Sequence, residues 1–379
     1  MFSKRFNFLT VAGIHIGIDL SWFFIAILLS WTLAAGYFPF TYPGQALSTY
    51  WIMGVIGMLG LFICILLHEL GHAFVAKYFK LPISQITLFL FGGVAEIKKE
   101  ATSPKVEFLV AIGGPVVTLL LIILLSLFTH FGVIFHVGIP VLAITSYLAA
   151  INTFILLFNL IPAFPLDGGR IFRAILWAWK KDLAWATTLS TRVGMGFGFF
   201  MIFFGIFSFI TGNLVMGLWM AILGLFLQRA ASSSQTQFYV GKELQNEKVA
   251  KFMKKNLDTV PPDITIQTFI QEHVYKSHHH LYPVIEEEKL LGFVSLNEVK
   301  SIPQEYWNTQ QISSALHPLS KCQVVSPKTN ALEALNIMQE TGSQTLLVAE
   351  GTLLVGLLTA QDLFKVISLK LEIEESLKK

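Results

Sequence analysis

Six apolar segments, at about 18–37, 51–76, 106–129, 138–160, 193–211 and 214–228, constrain this chain more than any other feature. A helix needs roughly 20 apolar residues to cross the hydrocarbon of a bilayer. Of the whole chain, 54% is hydrophobic and 13% charged, whereas ordinary soluble domains carry about 25% charged residues. A water-soluble fold could not cover so much apolar surface, so the expected class is a polytopic α-helical membrane domain with about six transmembrane helices. The first segment is longer than a signal-peptide core and has no small-residue cleavage site, so it reads as a retained anchor.

Basic residues give the segments an orientation. Lys4 and Arg5 precede the first; Lys77, Lys80, Lys98, Lys99 and Lys105 lie between the second and third; Arg170, Arg173, Lys180, Lys181 and Arg192 lie between the fourth and fifth; Arg229 follows the sixth. The intervening loops on the other side contain no Lys or Arg. Cytoplasmic loops collect positive charge, so both termini are expected in the cytosol and the chain in the cell membrane. Arg170 and Arg173 are expected at the membrane surface, facing phosphates. The net charge of +3 is too small to point to nucleic acid.

From about Lys242 the composition becomes that of an ordinary soluble protein. The expected division is a membrane domain over 1–229, a linker over 230–244 and a soluble α/β domain over 245–379. The soluble part repeats itself: His280–Ile285 followed by Leu291–Ser295 recurs as Thr345–Ala349 followed by Val355–Thr359. Each unit is a β run, a polar turn, a second β run through a glycine, then a helix. Two such units bury a core that neither could bury alone. The His278-His279-His280 run reads as an exposed loop, and the tail Leu369–Lys379 as a solvated helix end. Cys64 and Cys322, one apolar and one soluble, form no disulfide framework.

The chemistry is concentrated in His68-Glu69-Leu70-Gly71-His72. Histidines at i and i+4 share one face of a helix, where they can hold one Zn²⁺ with Glu69 as a general base. The motif follows a run from Trp51 to Leu67 without a charge. At about 1.5 Å per residue, His68 lies roughly 14 Å along the helix from Lys77. Ionisable groups at such depth are costly and usually functional. A catalytic zinc takes three protein ligands, and Asp167 is the third candidate. Pro162 and Pro165 should break the fourth helix just before it, and broken backbone at membrane depth belongs where it lines a cavity.

These residues resemble the site-2 protease family of intramembrane zinc metalloproteases, which pairs a His-Glu-x-x-His helix with a later Asn-x-x-Pro…Asp-Gly segment, here Asn159, Pro162, Asp167 and Gly168. The resemblance covers roughly the first 230 residues. It implies one zinc per chain on His68, His72 and Asp167, water activated by Glu69, and Asn159 near the site. Gly113-Gly114-Pro115 resembles a Gly-Pro element of the family, but Val116, Val117 and Thr118 follow where an Asn is usual, and no site residue is taken from it. The segment from Ile83 to Ile97, with Gly92-Gly93 at its centre, carries a hairpin signal. It resembles the family's membrane-dipping β-loop, whose edge would pair with an unwound substrate near Phe89 and Phe91.

The C-terminal repeat resembles a pair of cystathionine-β-synthase-type (CBS) modules over about 245–370. That resemblance implies an adenosine-containing nucleotide held through Ser295 and Glu298 in the first module and Thr359 and Asp362 in the second, with Glu298 standing where Asp is usual. It also implies a homodimer through the CBS domains. The expected function is an intramembrane zinc endopeptidase cutting a membrane-embedded protein, such as an anti-sigma factor or another transmembrane regulator, under control of the CBS pair. A CBS-regulated transporter or channel is the alternative; it leaves His68, Glu69, His72 and Asp167 unexplained.

Overall fold

The computed structural model describes residues 5–89, 92–97, 100–255, 258–277, 281–287, 289–318, 323–343, 345–351 and 353–365. Lys4, Phe91, Lys98, Lys99, His278-His279-His280, Cys322 and the tail Leu369–Lys379 lie outside them. The chain divides into two compact units, Met1–Gln235 and Thr236–Lys379.

The first unit is a helical bundle with a small sheet at one side. Among the described residues it has six helices long and apolar enough to cross a membrane. The first span, Leu20–Thr41, comprises α1 (Leu20–Thr32), a π-helical turn (Leu33–Tyr37) and α2 (Phe38–Thr41). Then come α3 (Leu47–Tyr78), α4 (Pro104–Ile134) and α5 (Ile139–Asn159). A shorter helix, α6 (Asp167–Lys180), precedes α7 (Leu183–Ile210) and α8 (Leu214–Leu244). All six expected segments are helical, and several run further than their apolar cores. The fifth begins at Leu183 because Asp182 caps it, accepting from the amides of Ala184 and Trp185 at 2.9 and 3.1 Å; such a cap satisfies otherwise orphaned donors. The sixth continues through 230–244, the stretch expected to link the domains, so those residues are helical.

Lipid contact explains the surface. Phe24, Ile27, Phe154, Phe203 and Ile210 are more than half exposed, which would be untenable in water but is ordinary against acyl chains. Inside the bundle, Leu33, Phe38, Met53, Ala143 and Tyr147 form a closed core between the first span, α3 and α5.

The sheet has four strands in the order β1 (Arg5–Val11), β2 (Ile14–Asp19), β3 (Ile83–Phe89) and β4 (Gly92–Ile97). The hairpin expected around Gly92-Gly93 is present, with Leu88 opposite Gly93 and Phe89 opposite Gly92. It is not isolated: β3 also pairs in parallel with β2, from His15–Gln85 to Ile18–Leu88. The N-terminal hairpin turns at Ala12 and Gly13, both with positive φ (49° and 79°), the turn whose twist suits two paired strands. Lys77 at the end of α3 secures it, donating from Nζ to the Ala12 carbonyl at 2.6 Å.

Among its described residues the second unit holds two three-stranded sheets. The first comprises β5 (Leu281–Glu286), β6 (Lys289–Ser295) and β7 (His317–Pro318). The second comprises β8 (Val324–Val325), β9 (Thr345–Glu350) and β10 (Leu353–Thr359). The first sheet packs with α9 (Ile266–Phe269) around Phe269, Tyr282 and Val294, and is accompanied by α10 (Tyr275–Ser277) and α11 (Leu296–Ser301). The second packs with α12 (Ala331–Thr341) around Leu335, Leu346 and Leu358. A separate core therefore forms around each sheet, in place of the shared core expected from the repeat, and each β-run pair read from the sequence is an antiparallel hairpin.

Candidate metal centre

α3 carries His68 and His72 on one face, and both imidazoles are buried. α6 begins at Asp167, immediately after the non-helical 160–166 that Pro162 and Pro165 interrupt. That break turns the chain so that the first carboxylate of the new helix meets the imidazoles. His68 Nε2 lies 3.0 Å from Asp167 Oδ2, His72 Nε2 lies 3.2 Å from Asp167 Oδ1, and the two Nε2 atoms are 3.1 Å apart. Two ligands each about 2.1 Å from a tetrahedral zinc lie about 3.4 Å apart, so the three donor atoms are spaced for one such ion.

The far sides of the rings fix which nitrogens converge. His72 Nδ1 lies 2.7 Å from the Val110 carbonyl, an acceptor only, so Nδ1 carries the proton and Nε2 presents a lone pair. The Gly114 amide is also 3.3 Å from that Nδ1; the shorter contact to a pure acceptor decides the tautomer. His68 Nδ1 lies 2.8 Å from Thr118 Oγ1, whose hydroxyl can accept its proton in the same way. Two lone pairs and a carboxylate then face one another in a buried space, an arrangement that repels itself unless a cation sits between them. Among the described residues this is the group whose His, Cys, Asp and Glu donor atoms converge, all within 4.8 Å.

α4 supplies both outer contacts, and its local geometry follows from Pro115. Proline has no amide hydrogen, so the Ala111 carbonyl four residues earlier loses its helical donor although α4 stays helical throughout; one residue before it, the Val110 carbonyl faces His72 Nδ1. Gly114 is required by close approach: a Cβ there would fall 2.3 Å from His72 Nε2 and 2.6 Å from His68 Nε2. The Gly-Pro element from which the sequence yielded no site residue thus supplies Gly114 and Thr118. Thr118 lies one helical turn beyond Gly114 on the same helix, and that spacing was the signal that could have found it.

Glu69, half-buried, lines a cavity of about 240 Å³ with His68, Thr118, Asn152, Asn159 and Gly93. Gly93 brings β4 against it, since a Cβ there would lie 2.6 Å from Glu69 Cγ. The cavity therefore places a carboxylate base, two amide side chains and the end of a terminal strand beside the metal-type cluster. Arg173 is placed differently from expectation. It does not face the membrane surface: it is 6% exposed, and its Nε donates to Glu107 Oε1 at 2.5 Å. A guanidinium this deep follows a carboxylate partner rather than lipid phosphate.

In the second unit both hydroxyl–acid pairs form. Thr359 Oγ1 donates to Asp362 Oδ2 at 2.6 Å, and the Asp362 amide donates back to Thr359 Oγ1 at 3.1 Å, a reciprocal helix cap. Lys254 Nζ lies 3.2 Å from Asp362 Oδ1. In the first repeat the Ser295 amide donates to Glu298 Oε2 at 3.0 Å, and its hydroxyl donates to the same oxygen. His317 Nε2 meets Glu298 Oε1 at 2.7 Å and its ring stacks on Phe293. Burial pushes the Glu298 carboxyl up, but the hydrogen bonds from Ser295 and His317 outweigh it and hold the group below its ordinary value.

A bundle of membrane-length helices with a buried His-His-Asp cluster, a carboxylate at its side and a separate pair of α/β repeats defines a multi-pass membrane protein of metallopeptidase type. The chain belongs to Peptidase family M50, the site-2 protease family: that family's profile matches residues 56–205, and CBS-domain profiles match 249–304 and 315–369. It is 32% identical to Rip3 of Mycobacterium tuberculosis over 365 residues, 94% of this chain and 91% of that protein. It is also 32% identical to the zinc metalloprotease MJ0392 of Methanocaldococcus jannaschii over 321 residues, 84% of this chain and 86% of that protein. Among solved structures, a site-2 protease from Methanocaldococcus jannaschii is similar at 27% identity and a TM-score of 0.42, over 61% of this chain and 95% of that one.

Proposed function

We propose that this protein is a zinc endopeptidase that cuts membrane-embedded protein substrates within or near a transmembrane segment. The observation that carries the reading is the convergence of His68 Nε2, His72 Nε2 and an Asp167 carboxylate beside Glu69 in a cavity inside the bundle. His68, His72 and Asp167 would hold one zinc, which when bound supplies Lewis acidity and a positive charge that eases ionisation of water. Thr118 and the Val110 carbonyl keep both imidazoles in the Nδ1–H tautomer and aim their lone pairs. Glu69 accepts the proton of the attacking water and passes it to the leaving amine. A peptide must reach this cavity extended, because a helix hides its amides in its own hydrogen bonds. β4 is the terminal strand of the sheet and starts beside Glu69, so an unwound substrate would add to its edge, with Asn152 and Asn159 offering polar contacts to its backbone. Lys- and Arg-bearing loops on one side put both termini in the cytosol.

The CBS pair is read as the regulatory unit. Asp362 and its cap with Thr359 form the better adenosine site, since Lys254 beside it supplies positive charge for a phosphate. Glu298 is engaged by Ser295 and His317 as Asp362 is by Thr359 and Lys254, so the two sites differ in having a histidine in one and a lysine in the other. Substrates would be single-span regulators of the anti-sigma-factor kind, and pairing of two chains through the CBS domains follows from the same reading.

The test compares the parent chain with Glu69→Gln. Metal analysis should give about one zinc in each, and a co-expressed single-span substrate should be cut only by the parent. A zinc-free parent, or equal cleavage by both, would refute the reading.

A further inference from the structure

One buried ion pair takes no part in that chemistry. Glu107 on α4 is fully buried, and Arg173 on α6 is 6% exposed. Arg173 Nε donates to Glu107 Oε1 at 2.5 Å, across 66 residues of sequence. Arg173 also donates from Nη2 to Glu100 at 3.4 Å, and its guanidinium lies 5.1 Å from the centre of the Phe164 ring, in the segment just before Asp167. The second carboxylate oxygen of Glu107 is buried without a hydrogen-bond partner among the described residues. Such a pair is a poor way to gain stability: apolar residues of similar volume do as well or better, and an oxygen left unsatisfied worsens the balance. What it provides is direction.

The elements it joins are the two halves of the metal centre. Glu107 stands one helical turn before Val110, whose carbonyl holds His72, and the same helix carries Thr118, which holds His68. Arg173 stands on the helix that opens with Asp167, about 9 Å along its axis. A slip of α6 along α4 by an ångström would spoil donor separations of 3.0–3.2 Å, and apolar side chains alone tolerate such slips. We propose that Glu107 and Arg173 are positioning residues: their ion pair fixes the register of α6 on α4 and thereby sets the Asp167 carboxylate against the imidazoles that α4 holds. This rests on the zinc reading above.

The experiment uses the full chain in nanodiscs. The double variant Glu107→Met/Arg173→Met removes both charges and keeps the volume. Three quantities are measured: the melting temperature, zinc affinity by chelator competition, and the visible spectrum of the Co²⁺-loaded protein, which reports ligand geometry. The expected result is a melting temperature close to the parent's, zinc binding about tenfold weaker and a shifted cobalt spectrum. Parent-like zinc affinity and spectrum would overturn the proposal. Should the double variant fail to fold, Glu107→Asp keeps the charge and withdraws the carboxylate by one methylene. A shifted cobalt spectrum there supports the proposal, and an unchanged one overturns it. A parent chain that takes up no zinc overturns the metal reading, and this proposal with it.

Discussion

Thr118→Val offers the sharpest test of how the imidazoles are held. Valine matches threonine in shape, so packing of the buried Thr118 side chain should survive and only the Oγ1 contact to His68 Nδ1, at 2.8 Å, is removed. The Nδ1–H is then buried without a partner, which costs about 1–3 kcal/mol. The ring can escape the penalty by turning or by moving its proton to Nε2, and either change withdraws the lone pair aimed at the metal. The cost therefore falls on the zinc-loaded state, and at 1.4 kcal/mol per tenfold it corresponds to zinc binding weaker by about 5- to 150-fold. Competition against a chelating dye, on protein in detergent or nanodiscs, reads this directly. Thr118→Ser keeps the hydroxyl and should stay near the parent. Zinc affinity of Thr118→Val within twofold of the parent would refute the argument that this hydroxyl fixes the ring.

Gly114→Ala should abolish zinc binding while leaving the chain inserted, because its Cβ would lie 2.3 Å from His72 Nε2; metal analysis checks it, and a fully loaded variant would contradict the close approach. Phe89→Asp, on the strand paired to the terminal one, should cut substrate cleavage at least several-fold with zinc content unchanged; undiminished cleavage would count against strand addition. Glu298 gives a pH prediction. Its carboxyl is held below its ordinary value, so its contribution to folding is present above the unfolded pKa of about 4.3 and is lost as pH falls through the lower folded value. Hydrogen exchange of the second unit in the full chain should therefore rise at acid pH more steeply in the parent than in Glu298→Gln.

How much of this could be read beforehand follows the distance over which each feature is encoded. The imidazole pair is local, since four residues of helix place His72 over His68 whatever surrounds them. The six spans are set by solvent, and the break before Asp167 by two prolines. Thr118 escaped notice because its meaning lies 50 residues away and a threonine is unremarkable in a membrane helix. Arg173 was misread for the same reason: near the end of an apolar segment a guanidinium resembles an interfacial anchor until the helix phase turns it onto Glu107. The N-terminal hairpin was missed because its strands alternate weakly and gain their order from pairing with β3, more than 60 residues downstream. The helical continuation through 230–244 was obscured by the serine-rich Ala230–Gln235, which reads as a linker.

His68 and Asp167 are 99 residues apart in the chain. A ribosome adding about 5–20 residues per second needs roughly 5–20 s to make that stretch. During this interval α3 is already formed while the carboxylate that completes the trio does not yet exist. A nascent chain therefore holds two histidines without the third donor, and the metal-type cluster stays incomplete while the chain is being threaded. Completion of the cluster is deferred until α6 has joined the bundle.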